Sequence, residues 1–173
     1  MDDLLKASLW EQFGAAIDML DHAIRDCPDP LWHESLWPKS DGRPDYTQFW
    51  YLAFHALFWL DLYLSGSVDG FTPPPLFTLA ELDPAGLLPD KAYTQSELLG
   101  YLDHCRGKGQ AIVEALNEQT LGRSCTFSWG SMPFLELLLY NMRHVQEHAT
   151  QLNLLLGQKA APPSRWITRV SRK

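Results

Sequence analysis

The sequence predicts an all-α protein, a four-helix bundle with one long connection between its second and third helices. Two observations carry this reading. Four segments repeat apolar residues at three- and four-residue steps, the period of a helix with a buried face, and capping residues, proline or glycine mark their ends. One short stretch, Thr126-Phe127-Ser128-Trp129, reads as an extended pair but is too short to make a sheet. Four helices joined in this way pack as a bundle.

The first helix is predicted over 3–25. Leu5, Leu9, Phe13, Ile17, Leu20 and Ile24 form its apolar stripe, acidic Asp2 and Asp3 suit its N-terminus, and Pro28 and Pro30 stop it. Residues 28–44 form a connection that is unusually aromatic for a loop, with Trp32, His33 and Trp37. The second helix is predicted to start at Asp45 or Thr47, where Asp45 and Gln48 have capping-box spacing, and to end at Ser65-Gly66. It is apolar nearly all round, which predicts the most buried helix of the four.

Residues 66–93 make a long link with Pro73-Pro74-Pro75, Pro84 and Pro89. Links of this length are often functional covers. Thr78 and Glu81 have the spacing that caps a single helical turn within it. The third helix is predicted from Thr94, with Glu97 completing a capping box, to Gln119. The fourth runs from Ser131, with Pro133 in its first turn, to Leu156-Gly157. Its predicted core stripe is Leu135, Leu138, Met142, Val145, Ala149, Leu152 and Leu156. The bundle domain is therefore 1–157. A tail over 158–173 carries five basic residues, and Trp166 and Ile167 point to docking of part of it.

The chain has 173 residues, 46% hydrophobic and 20% charged, which suits one globular domain with a sizeable core. A net charge of −7 argues against general nucleic-acid binding, which needs clustered Lys and Arg. The start, Met1-Asp2-Asp3-Leu4, has no signal-peptide pattern. The most apolar run, Phe49 to Leu64, is too short to span a bilayer and is interrupted by His55 and Asp61. Cys27, Cys105 and Cys125 form no CxxC pair and read as free thiols of a reducing cytoplasm.

Histidines carry the functional signal. His144 and His148 lie four residues apart in the fourth helix, about 40° apart around its axis at about 100° per residue. They border the apolar stripe, in line with Leu137 and Leu155, while Glu136, Arg143, Glu147 and Thr150 take the solvent face. His55 stands in the apolar second helix, where an imidazole without a partner is costly. Asp61 does not serve it, because six residues place the two on different sides of the helix. The rival reading is a set of core histidines bonded to backbone or carboxylate. If the three meet, neutral imidazoles from two helices suit Zn²⁺, Ni²⁺ or Fe²⁺ with a position left for water or substrate. His22, His33 and His104 show no such grouping.

The run from Ala53 through His55 to Asp61, followed by Arg143-His144-Val145-Gln146-Glu147-His148 and Gln151-Leu152, resembles the DinB-like (DinB/YfiT) superfamily. The resemblance covers most of the chain, including helix order and the 66–93 link. It implies an up-down-down-up four-helix bundle, often a homodimer, with His55, His144 and His148 holding a divalent metal. Some relatives are transferases or isomerases that depend on small thiols such as mycothiol or bacillithiol. No residue here matches a thiol-cofactor site.

These readings lead to a divalent-metal-dependent enzyme of the cytoplasm, a hydrolase or thiol-dependent transferase, acting on a small molecule or low-molecular-weight thiol. The metal would act as a Lewis acid or activate water or thiol. Its general acid or base has no assignment from sequence. Pocket walls are expected from the 66–93 link and the tryptophans of 32–37. The alternative is a non-catalytic dimeric helical bundle with a stress or binding role.

Overall fold

The second long helix is the hub of the structure, a computed structural model that describes residues 3–38, 46–159 and 166–171. Among the described residues, five α-helices and one two-stranded hairpin follow in the order α1 (Asp3–Asp26), α2 (Phe49–Ser65), α3 (Gln95–Ala115), α4 (Glu118–Gly122), β1 (Ser124–Phe127), β2 (Gly130–Pro133) and α5 (Phe134–Lys159). The fold is mostly helical, as the periodicity predicts. Both α1 and α2 pack chiefly against α3 and α5.

In α2 every residue is buried except His55, Trp59 and Ser65. Such a helix gains little from amphipathic patterning and is held by burial of large side chains, each worth about 1.5–3 kcal/mol. Gly66 caps it at φ 75°, donating its N–H to Leu62 O and Tyr63 O. The left-handed conformation favours glycine here, whereas a Cβ would meet only the movable end of the Arg123 side chain, 2.4 Å away.

The start of α2 departs from expectation. Asp45 lies outside the described residues, and the helix begins at Phe49. The preceding backbone is engaged elsewhere: Leu36 N donates to Thr47 O at 2.9 Å, Phe49 N donates to Glu34 O at 3.0 Å, and Ser35 bridges Gln48. Strand-like pairing with 34–36 holds Gln48 extended and delays the helix.

The third helix does begin at its Thr94–Glu97 capping box, each side chain bonded to the other's N–H at 3.2 and 2.7 Å. It stops at Ala115 rather than Gln119. Asn117 accepts the Thr120 N–H at 3.0 Å and starts the separate helix α4. An Asn side chain near a helix end offers the backbone a competing partner.

The fourth predicted helix is likewise shortened at its start. Residues Gly130–Pro133 pair antiparallel with Ser124–Phe127, and α5 begins at Phe134. Thr126 and Ser131 hydroxyls meet across the hairpin at 2.9 Å, and Phe134 N donates to Arg123 O at 2.9 Å. The extended pair read around 126–129 thus forms a small sheet after all. Cross-strand bonding and packing of Cys125 and Phe127 into the core outweigh the helix-start signal of Pro133. Along α5, Leu138, Val145, Ala149, Leu152 and Leu156 are buried as the stripe predicts. Leu135 and Met142 are half-buried instead, and Leu137, Asn141 and Leu155 share the core.

Part of the basic tail docks on α1. Val170 N donates to Glu11 O at 2.9 Å and Ser171 N to Asp18 Oδ2 at 2.7 Å. Ile167 packs against the core, whereas Trp166 is 70% exposed. All three cysteines are free and buried. Among the described residues, no helix is long and apolar enough to cross a membrane.

Candidate metal centre

His55 projects from α2 and His144 and His148 project from α5, a helix that packs along α2. The three side chains meet. His144 Nε2 lies 3.3 Å from His55 Nε2 and 3.1 Å from His148 Nε2, and the three candidate ligand atoms all lie within 4.8 Å of one another. The four-residue spacing delivers His144 and His148 to one side of α5, and all three residues are half-buried.

Partners behind the rings decide which nitrogen carries a proton. His55 Nδ1 meets Glu81 Oε2 at 2.7 Å, and a carboxylate only accepts, so Nδ1 is the donor and Nε2 bears a lone pair. His148 Nδ1 meets Gln151 Oε1 at 2.8 Å, which assigns His148 the same tautomer. His144 Nδ1 is buried without a hydrogen-bond partner. A neutral His144 can donate from Nε2 to one neighbour only. One of the inward lone pairs on His55 and His148 is therefore left without a direct donor among the three rings.

Burial is the first cause that holds the His144 and His148 rings neutral. It pushes His144 down to about 2, with the neighbouring His148 and His55 adding to the effect. Burial also lowers His148, followed by the charge of His55. Neutral imidazole is the form that binds a metal ion. The spacing fits as well: ligands about 2.0–2.1 Å from a tetrahedral ion stand about 3.3 Å apart. The donor set, tautomers and spacings thus suit a divalent cation of the zinc type.

Glu81 was not legible as part of this site. The sequence spacing assigns it to a cap with Thr78, but Leu79 is the N-cap of the turn Ala80–Leu82, and Thr78 Oγ1 accepts from Ala80 N at 3.4 Å. Glu81 points inward instead. Its carboxylate accepts from Tyr51 Oη at 2.5 Å, His55 Nδ1 at 2.7 Å and Trp59 Nε1 at 2.8 Å, and the side chain is 4% exposed. Burial raises this carboxyl, but the hydrogen bond and charge of His55, with Tyr51 and Trp59, outweigh burial and leave it below the usual range. Tyr51, His55 and Trp59 lie at i, i+4 and i+8 on one face of α2, a pattern that was visible but had no partner in sequence.

The imidazoles line a cleft of about 680 Å³. Trp37, Tyr46, Trp59, Tyr63, Tyr140 and Leu87 form much of its wall, with Glu81, Asp83 and Glu147 as carboxylates. The 66–93 link does contribute a wall, and so does Trp37. Trp32 and His33 line a separate cavity with Cys27. Trp32 is buried and donates from Nε1 to Tyr93 O at 2.9 Å. Glu147 is exposed, as the helix geometry predicts, yet it edges the cleft. His104 stands 3.5 Å from Asp61, away from the three, and His22 is half-buried on α1.

The matching family model is described as the DinB superfamily, and it covers residues 12–152. A crystal structure of a DinB-like protein from Bacillus subtilis superposes with a TM-score of 0.55 at 12% identity, covering 91% of this chain and 99% of that one. At that identity the likeness concerns the fold. No curated protein matches the sequence.

Proposed function

The chain belongs to the DinB superfamily, and on that premise we propose that it is a metal-dependent enzyme of the DinB-like type, with His55, His144 and His148 holding one divalent cation. The observation that carries this reading is the convergence of three Nε2 atoms, two of them with their lone pairs aimed by acceptors on Nδ1. We read the four long helices as an up-down-down-up bundle, in which α2 and α3 run parallel and the 66–93 link spans their length.

Bound there, a divalent cation supplies Lewis acidity and makes a strong nucleophile from water or thiol near neutral pH. The chain's residues do the rest. Trp59, Tyr63 and Tyr140 offer aromatic faces to the apolar body of a small substrate. Burial, then the neighbouring Tyr140, push the Tyr63 hydroxyl up, so it stays protonated and acts as a hydrogen-bond donor. Glu81 holds His55 in its tautomer and, with three donors on it, is spent as a base. Glu147 is the accessible carboxylate beside His148. Hydrolysis and thiol transfer both suit this arrangement.

Elemental analysis of protein purified without a histidine tag tests the reading. One divalent ion per chain in the native protein and none in His144→Ala supports it. Absence of metal in both, after incubation with zinc, nickel and iron(II), overturns it.

A further inference from the structure

Glu81 belongs to the 66–93 link, yet its only partners among the described hydrogen bonds are three side chains of α2. One of those is His55. The link is therefore fastened to the imidazole cluster through a single carboxylate. A second clasp lies at Gly86, whose carbonyl accepts from the Tyr46 hydroxyl. Gly86 has φ 63°, and a Cβ there would stand 2.5 Å from Tyr46 Oη, so the chain at this contact is closely fitted. At and beside these clasps, Ala80, Asp83, Gly86 and Leu87 line the cleft.

We propose that Glu81 is a positioning residue through which metal occupancy and closure of the 66–93 link are one coupled equilibrium. The inference rests on the metal reading above and adds a specific residue and a reciprocal consequence. The physical reason is short. An imidazole whose Nε2 engages a cation becomes a better donor at Nδ1, so His55 grips Glu81 more tightly. Conversely, a carboxylate on Nδ1 raises the basicity of Nε2 and fixes the ring orientation. Whatever the metal adds to the His55–Glu81 bond it adds to the hold on the link, because linkage is symmetric. Tyr51 and Trp59 occupy the remaining acceptor positions and stop the carboxylate from turning away. Removing the cation relaxes one of three bonds, so the link loosens without detaching.

The test uses the full chain with zinc as the probe. Glu81→Gln keeps the shape but removes the charge. It is expected to weaken zinc binding about 10- to 100-fold in competition with a chromophoric chelator, the range for outer partners of ligating histidines. Asp90→Asn, on the same link but exposed, is the control and is expected to bind zinc as the native chain does. Amide exchange in the native chain provides a readout that does not depend on the variant folding. In the native protein, zinc is expected to slow exchange over 77–88 several-fold, and in Glu81→Gln that zinc-dependent part disappears. Unchanged zinc affinity in folded Glu81→Gln overturns the proposal, as does exchange over 77–88 that ignores zinc in the native chain. Native protein that binds zinc but shows either result sinks only this coupling. Native protein that binds no zinc sinks the metal reading and the coupling together.

Discussion

Helix α2 carries two polar clusters, and they behave in opposite ways. Asp61, 1% exposed, is closed on itself. Lys108 Nζ reaches its Oδ1 at 2.5 Å and its carbonyl at 3.0 Å, Tyr101 Oη donates to Oδ2 at 3.1 Å, and Lys108 also meets Ser65 Oγ at 2.7 Å. Each charge has an opposite charge, and each donor has an acceptor. In the imidazole cluster His55 and His148 have acceptors on the outer side and lone pairs on the inner side, and His144 has no partner on its outer nitrogen. A buried polar group that satisfies itself supports the fold, whereas one with uniform leftover valence is arranged for something else. The difference separates a structural site from a binding site without reference to where either lies.

The largest effect that can break this comparison comes from single deletions in the two clusters. Removing any one of His55, His144 or His148 as alanine is expected to lower zinc affinity by more than about 100-fold, since a ligand matters more than the outer partners that cost 10- to 100-fold. Asp61→Asn is expected to leave zinc affinity within about two-fold. Isothermal titration of both sets decides it, and equal losses would erase the distinction.

Stability should show the reverse. Asp61→Ala leaves the Lys108 ammonium and Tyr101 without their acceptor, and breaking a buried pair costs about 3–5 kcal/mol. His144→Leu in metal-free protein removes a buried imidazole with an unbonded Nδ1. It is expected to raise Tm by a few degrees, consistent with about 1 kcal/mol in a chain of this size. Urea melts of metal-free protein check both. A destabilised His144→Leu would mean that the imidazoles satisfy one another after all.

Metal removal sharpens the contrast. A cation bound at 100 times its Kd stabilises by about 2.7 kcal/mol, so chelator should lower the native Tm by several degrees. The Asp61 variants should keep that chelator response and His144→Leu should lack it, as scanning calorimetry can show.

The smallest effect lies outside both clusters and sets the scale for an exposed charge. Glu97 sits below the usual carboxyl range because the Thr94 backbone N–H bonds to it, with the Thr94 side chain and Lys91 also lowering it against a small burial cost. A carboxyl lowered in the folded state adds stability above its unfolded value of about 4.5, and that gain fades as pH falls through the lower folded value. The Tm gap between the native chain and Glu97→Gln is therefore expected at pH 7 and is expected to shrink as pH falls through the lowered folded value.

Legibility differs between the clusters for a physical reason. His55, His144 and His148 announce themselves because each interrupts or borders an apolar helix, and helix period converts spacing into direction. Glu81 does not, because the Thr78–Glu81 spacing matches a local cap and local patterns say nothing of a partner 26 residues away. Lys108 and Tyr101 are hidden likewise: nothing in the sequence shows that Asp61 lies opposite them.

What the sequence determined alone was the helical class, the approximate helix spans, the cap at Thr94 and the three histidines, since these follow from short-range periodicity and backbone chemistry. Tertiary structure decided where helices yield to competing pairing, as at Gln48 and in 124–133, and which carboxylate stands behind His55. Those outcomes depend on contacts between distant segments, whose energies exceed local preference only once the chain has folded.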